Sequence, residues 1–328
     1  MDIPNTYASA FKSMEIRSFI EPSLVSVIIP VYNGANNLLF LLNALKAQTY
    51  PQEALQIIVS DNNSSDGSDR VAMQYPGVQV VYERQVQNAG AARNRAISVA
   101  RGDIFAFTDA DCLPKSDWIE QGVKDLQKYN VDRLAGCIEF FPISPQSSAC
   151  SLLDALYNLN QKFVVESFQA AVTANLFVKS YTFKNVGLFP TNDFLNADCE
   201  DIQWNRRASN AGFSLAYSDA PVIQHPPRSF FIALWEKGQR SGRGIFSLCH
   251  SEQRGGWLGT RHLLRMGRML LLPRSLHWER LPFESQKIPL TKRIQIQCLK
   301  WLMINIAETW GYGQWFVRSM IVSQFKQE

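Results

Sequence analysis

Residues 103–111 read Asp-Ile-Phe-Ala-Phe-Thr-Asp-Ala-Asp, a short apolar run followed at once by two carboxylates. The apolar run is typical of a strand that is buried on both faces. Asp109 and Asp111 are two residues apart, so a sharp turn at the strand end lets both carboxylates face one point. Hard oxygen ligands of this kind favour Mg²⁺ or Mn²⁺. An isolated pair could equally cap the helix predicted to start near Pro114, so its meaning depends on the neighbouring strands.

Strands and helices alternate on the N-terminal side of this stretch. Strands are predicted at 24–29, 55–60, 77–81 and 103–108, and helices at 36–48 and 88–100. The alternation predicts an α/β fold with an open, mostly parallel sheet and right-handed crossovers. Ligands of such sheets bind at the carboxyl ends of the strands, where Tyr32-Asn33, Asp61-Asn62-Asn63 and the Asp109/Asp111 pair all stand. No G-x-G-x-x-G follows the first strand, which disfavours a dinucleotide.

Charge is divided unevenly along the 328 residues. The net charge is +4, but from His225 onward sixteen Lys and Arg stand against six Glu and no Asp. The preceding part is acidic, so we expect an architectural boundary near residue 225. The six cysteines form no C-x-x-C pair, which excludes a recognisable zinc module and disfavours a disulfide framework.

Four ordered segments resemble the inverting family 2 glycosyltransferases: Ser26-Val-Ile-Ile-Pro-Val-Tyr-Asn33, 59–68 (Val-Ser-Asp-Asn-Asn-Ser-Ser-Asp-Gly-Ser), 88–95 (Asn-Ala-Gly-Ala-Ala-Arg-Asn-Arg) and 107–111. The resemblance covers about residues 24–225. It implies a GT-A fold, which is Rossmann-like with a mostly parallel sheet and flanking helices, a nucleotide-sugar donor, and Mg²⁺ or Mn²⁺. The domains are then an N-terminal extension at 1–23, a catalytic domain at 24–227 and a basic amphipathic helical extension at 228–328. Within the catalytic domain, 24–112 is the nucleotide-binding half and 113–227 the acceptor half.

The resemblance also implies roles for single residues. The nucleotide-sugar site would comprise Pro30, Tyr32, Asn33, Asp61, Arg93, Asp109 and Ala110. Asp111 would be the main metal ligand, supported by Asp109 and by His225. Three of these residues have structural alternatives: Asn33 as a turn residue, Arg93 as a surface arginine on an alanine-rich helix, and His225 as a hydrogen-bonding residue.

The segment Asp198-Cys-Glu-Asp-Ile-Gln-Trp-Asn-Arg-Arg207 opens a predicted helix. Acids in the first turn and arginines further along satisfy the helix dipole without any catalytic role. The resemblance instead matches Glu200-Asp201 to the family's acidic pair, with Asp201 as catalytic base and Glu200 as acceptor ligand or orienting partner. An attacking hydroxyl needs one such base to take its proton.

Several further segments are candidates for the acceptor pocket and a lid. A loop at 171–178 offers Ala174 and Asn175, residues 189–193 would help to close it, and Trp204 is a third candidate. A short edge strand at 213–217 is predicted to lead to 222–225. The stretch 237–244 carries three cations and three glycines, typical of either a mobile basic lid containing Arg240 and Arg243 or a solvated loop. It lacks the Q-x-x-R-W of processive relatives, which favours addition of one sugar per encounter.

The C-terminal third carries basic amphipathic patterns. Arg261, Arg265 and Arg268 share one face of a predicted helix, and a second helix is predicted at 292–310. Such helices either lie on an anionic membrane or pack on the catalytic domain or another subunit. No leader and no apolar run of 18 residues is visible, which predicts a cytoplasmic protein that can rest on the inner face of the cell membrane.

Together these features predict a metal-dependent inverting transferase that moves a sugar, from a UDP-sugar in the first instance, to a lipid-linked or polysaccharide-precursor hydroxyl. One alternative is an inactive sugar-nucleotide-binding or scaffold protein. Another is a sugar-phosphate nucleotidyltransferase, which would place a glycine-rich loop where Pro30-Val-Tyr-Asn33 stands. No motif accompanies the basic tail that would predict nucleic-acid binding.

Overall fold

The computed structural model describes residues 22–191, 197–251, 258–271 and 276–325. Its centre is a sheet of eight strands: β1 (Val25–Val31), β2 (Leu55–Asp61), β3 (Val78–Tyr82), β4 (Ile104–Phe107), β5 (Leu113–Pro114), β6 (Arg133–Phe140), β7 (Leu176–Lys179) and β8 (Leu215–His225). The strands lie in the order β3-β2-β1-β4-β7-β6-β8-β5. Helices cover both faces of this sheet, which confirms the predicted α/β class.

The first four strands form the parallel half of the sheet. β1 pairs in parallel with both β2 and β4, and β2 pairs in parallel with β3. Three helices connect them: α1 (Ala35–Lys46), α2 (Ser68–Met73) and α3 (Ala89–Ile97). α1 buries four leucines, at 38, 41, 42 and 45, against the sheet, as the helical spacing predicts. The carboxyl ends of β1, β2 and β4 therefore meet at one edge, as expected.

The second half of the sheet is mixed. β7 runs antiparallel to β4 and β6, whereas β6 and β8 are parallel. The short edge strand predicted at 213–217 is wrong, because β8 is one strand of eleven residues and lies between β6 and β5. Its register against β6 shifts between Ala135 and Cys137, and Pro221 lies in the irregular part of β8. That irregularity makes the sequence look like two short strands.

Nine further α-helices lie in the described part of the chain. They are α4 (Trp118–Lys128), α5 (Ala149–Tyr157), α6 (Gln161–Phe168), α7 (Tyr181–Val186), α8 (Glu200–Asn210), α9 (Phe231–Ser251), α10 (Leu258–Leu271), α11 (Leu290–Lys300) and α12 (Glu308–Phe325). A π-helical segment, Trp301–Ala307, joins α11 to α12. The helix expected near Pro114 thus begins at Trp118.

The C-terminal helices pack on the catalytic domain. A buried cluster joins Leu152 and Leu156 of α5 to Leu234 of α9, Ile296 of α11 and Met303. Burial of this many large apolar side chains stabilises the contact by several kcal/mol, at about 25 cal/mol per Å². Of the two predicted alternatives, membrane binding or packing on the catalytic domain, the second is therefore right for the buried faces of α9 and α11. The domain boundaries stay predictions. Residues 1–21 of the predicted N-terminal extension lie outside the described residues.

Residues 237–244 are helical, which corrects the prediction of a lid loop. They form the middle of α9, and their three glycines sit where other backbone comes close. A Cβ on Gly242 would collide with the backbone carbonyl of Glu308 in α12, and one on Gly244 with that of Asp198. The glycines therefore serve close helix packing rather than mobility. None of the helices in the described ranges is long and apolar enough to cross a membrane.

Candidate active site

A cleft of about 760 Å³ opens at the carboxyl ends of β1 and β4. It collects residues from both halves of the catalytic domain. Among the residues lining it are Pro30, Tyr32, Asn33, Asn62, Asn88, Arg93, Asp109, Ala110, Asp111, Thr173, Ala174, Asp198, Glu200, Asp201, His225, Lys237 and Arg240. The aspartate pair after β4 and the acidic pair that opens α8 thus share one cleft, although they lie far apart along the chain.

Arg93 ties the two acidic pairs together. Its Nη2 donates to Asp109 Oδ1 and its Nη1 to Glu200 Oε1, each at 2.8 Å. The residue is 4% exposed, and its Nε has no hydrogen-bond partner in the described chain. Although burial opposes its charge, the carboxylates of Asp109 and Glu200 raise the pKa of Arg93 overall. The surface-arginine alternative is therefore excluded, and Arg93 fixes the distance between the two halves of the cleft.

Glu200 and Asp201 are held in a protected position at the first turn of α8. Burial raises the pKa of Glu200 to about 7, and the neighbouring Asp201 charge adds to the shift. Burial also raises the pKa of Asp201, although Arg93 and backbone hydrogen bonds oppose the rise. The Thr173 N–H donates to Asp201 Oδ2 at 3.1 Å and the Ile202 N–H to Oδ1 at 2.7 Å. A carboxylate that is oriented in this way, with its pKa raised, suits a general base.

Asp111 and His225 face each other across the cleft. His225 Nε2 lies 3.6 Å from Asp111 Oδ2, which is too long for a hydrogen bond. The other ring nitrogen, Nδ1, lies 2.7 Å from the Pro226 carbonyl oxygen. Because a carbonyl only accepts, Nδ1 carries the proton, and in the neutral ring Nε2 presents a lone pair toward Asp111. A backbone carbonyl fixing one nitrogen is the usual support of a metal-binding histidine.

This pair fits a small divalent cation. Two metal–ligand bonds of about 2.1 Å span up to about 4.2 Å, so one ion can reach both donor atoms. No group of three or more His, Cys, Asp or Glu side chains gathers around one point among the described residues. The protein would therefore supply few ligands, and water or a ligand phosphate the others, as is usual for Mg²⁺. Asp109 is engaged by Arg93 and contributes charge beside the pair.

The candidate nucleoside side of the cleft lies at the ends of β1 and β2. Asn62 lines the cleft here, whereas the preceding Asp61 is not among the lining residues and is 2% exposed. The Asp61 Oδ1 accepts from the Ser64 N–H, and its buried Oδ2 has no partner in the described chain. Tyr32 is 56% exposed on this side of the cleft, available to stack on a ring. Asn33 has a φ of 50° and accepts a hydrogen bond from the Ser65 N–H, so its turn role is real, and it lines the cleft as well.

Two basic side chains lie beside Asp198, and the sequence analysis did not predict this contact. Lys237 Nζ is 2.6 Å from Asp198 Oδ2 and Arg240 Nε is 3.4 Å from Oδ1. These contacts lower the pKa of Asp198 against the opposing effect of burial. They fasten the segment before α8 to α9. The only sequence signal was the charge of 237–244, which gave no indication of its partner.

Two acceptor candidates belong to the core instead. Trp204 is fully buried, stacks on Phe183 at 4.2 Å, and donates its indole N–H to the Gly187 carbonyl. Asn175 is also fully buried, and its amide joins the Trp118 indole to the carbonyls of Cys137 and Pro221. Neither can touch an acceptor, because core packing and hydrogen bonding use each side chain fully.

The other acceptor and lid candidates lie on two different surfaces or in the core. Ala174 and Arg240 line the cleft, whereas Arg243 lines a second groove beside it. The loop expected at 171–178 is a short helical turn, Thr173–Asn175, that leads into β7. Phe189, expected to close the pocket, is 3% exposed in the core, and residues 192–193 lie outside the described residues.

Comparison with known proteins shows which family of proteins the chain is similar to. Residues 26–149 match the model of glycosyl transferase family 2. Glycosyltransferase AglE of Haloferax volcanii is 32% identical over 305 residues, which is 90% of this chain and 97% of that protein. Glycosyltransferase GlyG of Streptococcus pneumoniae is 32% identical over 117 residues, 34% of this chain and 38% of that protein.

Solved structures show the same fold at low identity. The mannosyltransferase PcManGT of Pyrobaculum calidifontis, in complex with GDP-Man and Mn²⁺, superposes with a TM-score of 0.55 at 19% identity, covering 94% of this chain and 89% of that one. Residues 1–349 of S. aureus TarS, in complex with UDP-GlcNAc, give 0.50 at 16% identity, covering 88% and 89%. Since the likeness to AglE runs through nearly the whole of both chains, and these neighbours share the GT-A architecture, the chain belongs to glycosyltransferase family 2.

Proposed function

We propose that this chain transfers a sugar from a nucleoside-diphosphate donor to a hydroxyl of a lipid-linked or polysaccharide-precursor acceptor, by single displacement with inversion. UDP-sugars are the first donors to test. The observation that carries the proposal is the Arg93 bridge, with 2.8 Å to each of Asp109 and Glu200. It holds a candidate donor half and a candidate acceptor half at a fixed separation, as a reaction between two bound molecules requires.

On the donor side, the Asp61 Oδ2, which has no partner in the described chain, would accept a hydrogen bond from the nucleotide base. Tyr32 would stack on the ring of that nucleotide base. Asp111 and His225 would hold Mg²⁺ or Mn²⁺, which supplies positive charge for the departing diphosphate. The Mn²⁺ in the complex of PcManGT agrees with this choice of ion. Pro30, Asn33 and Ala110 would shape the pocket around the nucleoside and sugar.

On the acceptor side, Asp201 would take the proton of the attacking hydroxyl. The Thr173 N–H orients its Oδ2, and burial raises its pKa, so its basicity exceeds that of an ordinary aspartate. Glu200, held by Arg93, would orient the acceptor or the Asp201 carboxylate. Positioned base catalysis of this kind contributes a factor of about 10²–10⁴ in rate.

A panel of nucleotide sugars tests the donor half. Thermal stabilisation and donor hydrolysis are measured with Mn²⁺, with Mg²⁺ and with EDTA. Asp111→Ala should lose the metal-dependent stabilisation, whereas Asp103→Ala, an exposed aspartate at the opposite end of β4, should keep it. A wild-type protein that responds to no nucleotide sugar, or equal responses of both variants, would contradict the proposal. An inactive binding protein would show the stabilisation but no turnover.

A membrane surface is the proposed location of the acceptor. Leu263, Leu264 and Leu271 of α10 are 59%, 70% and 84% exposed, and Trp301 is 53% exposed. Exposed leucine and tryptophan on a basic region favour the inner face of an anionic membrane. Removing the whole extension would open the buried cluster shared with α5, so point variants are the better probe. Leu264→Gln with Leu271→Gln should reduce co-sedimentation with anionic vesicles; unchanged co-sedimentation would oppose this location.

A further inference from the structure

A second groove, of about 600 Å³, lies next to the active-site cleft between α9 and α12. One face of α9 contributes Glu236, Gln239, Arg240 and Arg243, and α12 contributes Gln314, Trp315 and Arg318. The lining of the groove therefore contains three guanidinium groups and one carboxylate. The proposed transfer reaction assigns no role to this set of side chains.

The walls of the groove are rigid. α9 and α12 touch backbone to backbone, because a Cβ on Gly242 would collide with the Glu308 carbonyl and one on Gly311 with the Gln239 carbonyl. Such close contact fixes the backbone positions from which the groove side chains project. The groove is thus a built feature of the fold rather than a gap between mobile helices.

The arginines are arranged around one indole. The guanidinium carbons of Arg318 and Arg243 lie 4.9 and 5.9 Å from the centre of the Trp315 ring. Arg243 Nη1 also donates to Gln314 Oε1 at 3.4 Å. Burial, and then the positive charge of Arg240, lower the pKa of Arg243. Holding like charges this close costs free energy that a bound anion would offset.

The groove adjoins the active-site cleft. Arg240 lines both the groove and the cleft, and its Nε lies 3.4 Å from Asp198, two residues before Glu200. Glu200 and Asp201 form the acceptor side of the cleft in the proposed function. A ligand seated in the groove would therefore lie beside Arg240, which contacts the segment that leads into Glu200 and Asp201.

We propose that this groove, lined by Arg240, Arg243, Arg318 and Trp315, binds a phosphate or diphosphate group carried by the acceptor. The inference rests on the proposed function for the identity of the ligand as acceptor. Guanidinium groups form charge-assisted hydrogen bonds with phosphate oxygens, and the indole offers an apolar surface to the adjoining chain or ring. The chemistry is the same whether the diphosphate is esterified to a lipid or to a soluble molecule.

The test measures binding by calorimetry in EDTA, so that no cation can recruit the probe to Asp111. The probes are inorganic pyrophosphate and farnesyl diphosphate. The double variant Arg243→Gln/Arg318→Gln should weaken binding of both by at least about tenfold, the effect expected for lost charge-assisted bonds. The control Arg265→Gln/Arg268→Gln removes the same charge from exposed positions on α10 and should bind like wild type. Tighter binding of farnesyl diphosphate than pyrophosphate would identify a lipid-borne group, and equal binding a soluble one.

Two results would overturn the inference. One is wild-type-like probe binding by the groove variant, or no probe binding by the wild type. The other is an equal loss of UDP binding with Mn²⁺ in the groove variant, which would assign the groove to the donor. In either case donor binding by the wild type would still support the proposed function, whereas failure of the nucleotide-sugar panel would refute that function without reference to the groove.

Discussion

Replacing Glu200 by glutamine should stabilise the protein at alkaline pH. Burial and the charge of Asp201 raise the pKa of Glu200 from 4.5 to about 7. The folded state then binds this proton more tightly than the unfolded state does. Stability from this group is fully present below pH of about 4.5, is lost as the pH rises through about 7, and stays constant above that. At about 1.36 kcal/mol per pKa unit, the ionised form costs the folded state about 3 kcal/mol at pH 8.

Glutamine resembles the protonated acid and can still accept the Arg93 hydrogen bond. Glu200→Gln should therefore exceed wild type by about 3 kcal/mol in free energy of unfolding at pH 8 and match it near pH 4.5. Urea unfolding at a series of pH values measures this difference. The control is Glu139→Gln, an exposed carboxylate whose side chain is 44% accessible, and it should change stability by less than about 0.5 kcal/mol. Equal stability of Glu200→Gln and wild type at pH 8 would refute the reasoning.

Three other substitutions, the last with a matched control, test separate parts of the structure. Asp201→Asn should keep donor binding in calorimetry and lower transfer by about 10²–10⁴, because only the proton acceptor is lost; transfer near the wild-type rate would remove Asp201 from the role of base. Trp204→Ala should cost about 3–5 kcal/mol in thermal unfolding, since it empties a fully buried site; a small cost would show that the side chain is not part of the core. Gly242→Ala should destabilise the protein by separating α9 from α12, whereas Gly267→Ala in α10, where a Cβ meets nothing within 4 Å, should be neutral or stabilising.

The parallel half of the fold could be predicted from the sequence because its signals are local. β1, β2 and β4 are short apolar runs that end in polar residues, and each predicted strand agrees with the structure to within about two residues. The carboxyl ends of parallel strands meet at one edge whatever the rest of the chain does. The pattern around Asp109 and Asp111 was ambiguous by itself, and the polar residues after β1 and β2 were needed to assign both carboxylates to a cleft.

What the sequence could not show is which distant partner a side chain meets. Trp204 follows the acidic pair by one helical turn, and its stacking on Phe183 depends on α7. The glycine content of 237–244 is typical of a loop. These glycines are instead needed because the backbones of α12 and of the segment before α8 come close to α9. In both cases a contact across many residues of chain outweighed the local pattern.

The most direct test of the central claim is anomalous diffraction from crystals soaked with Mn²⁺ and a nucleoside-diphosphate sugar. The account predicts a manganese peak between Asp111 Oδ2 and His225 Nε2, in contact with the diphosphate. A nucleotide bound in the cleft with no manganese at that position, or manganese bound elsewhere, would contradict it.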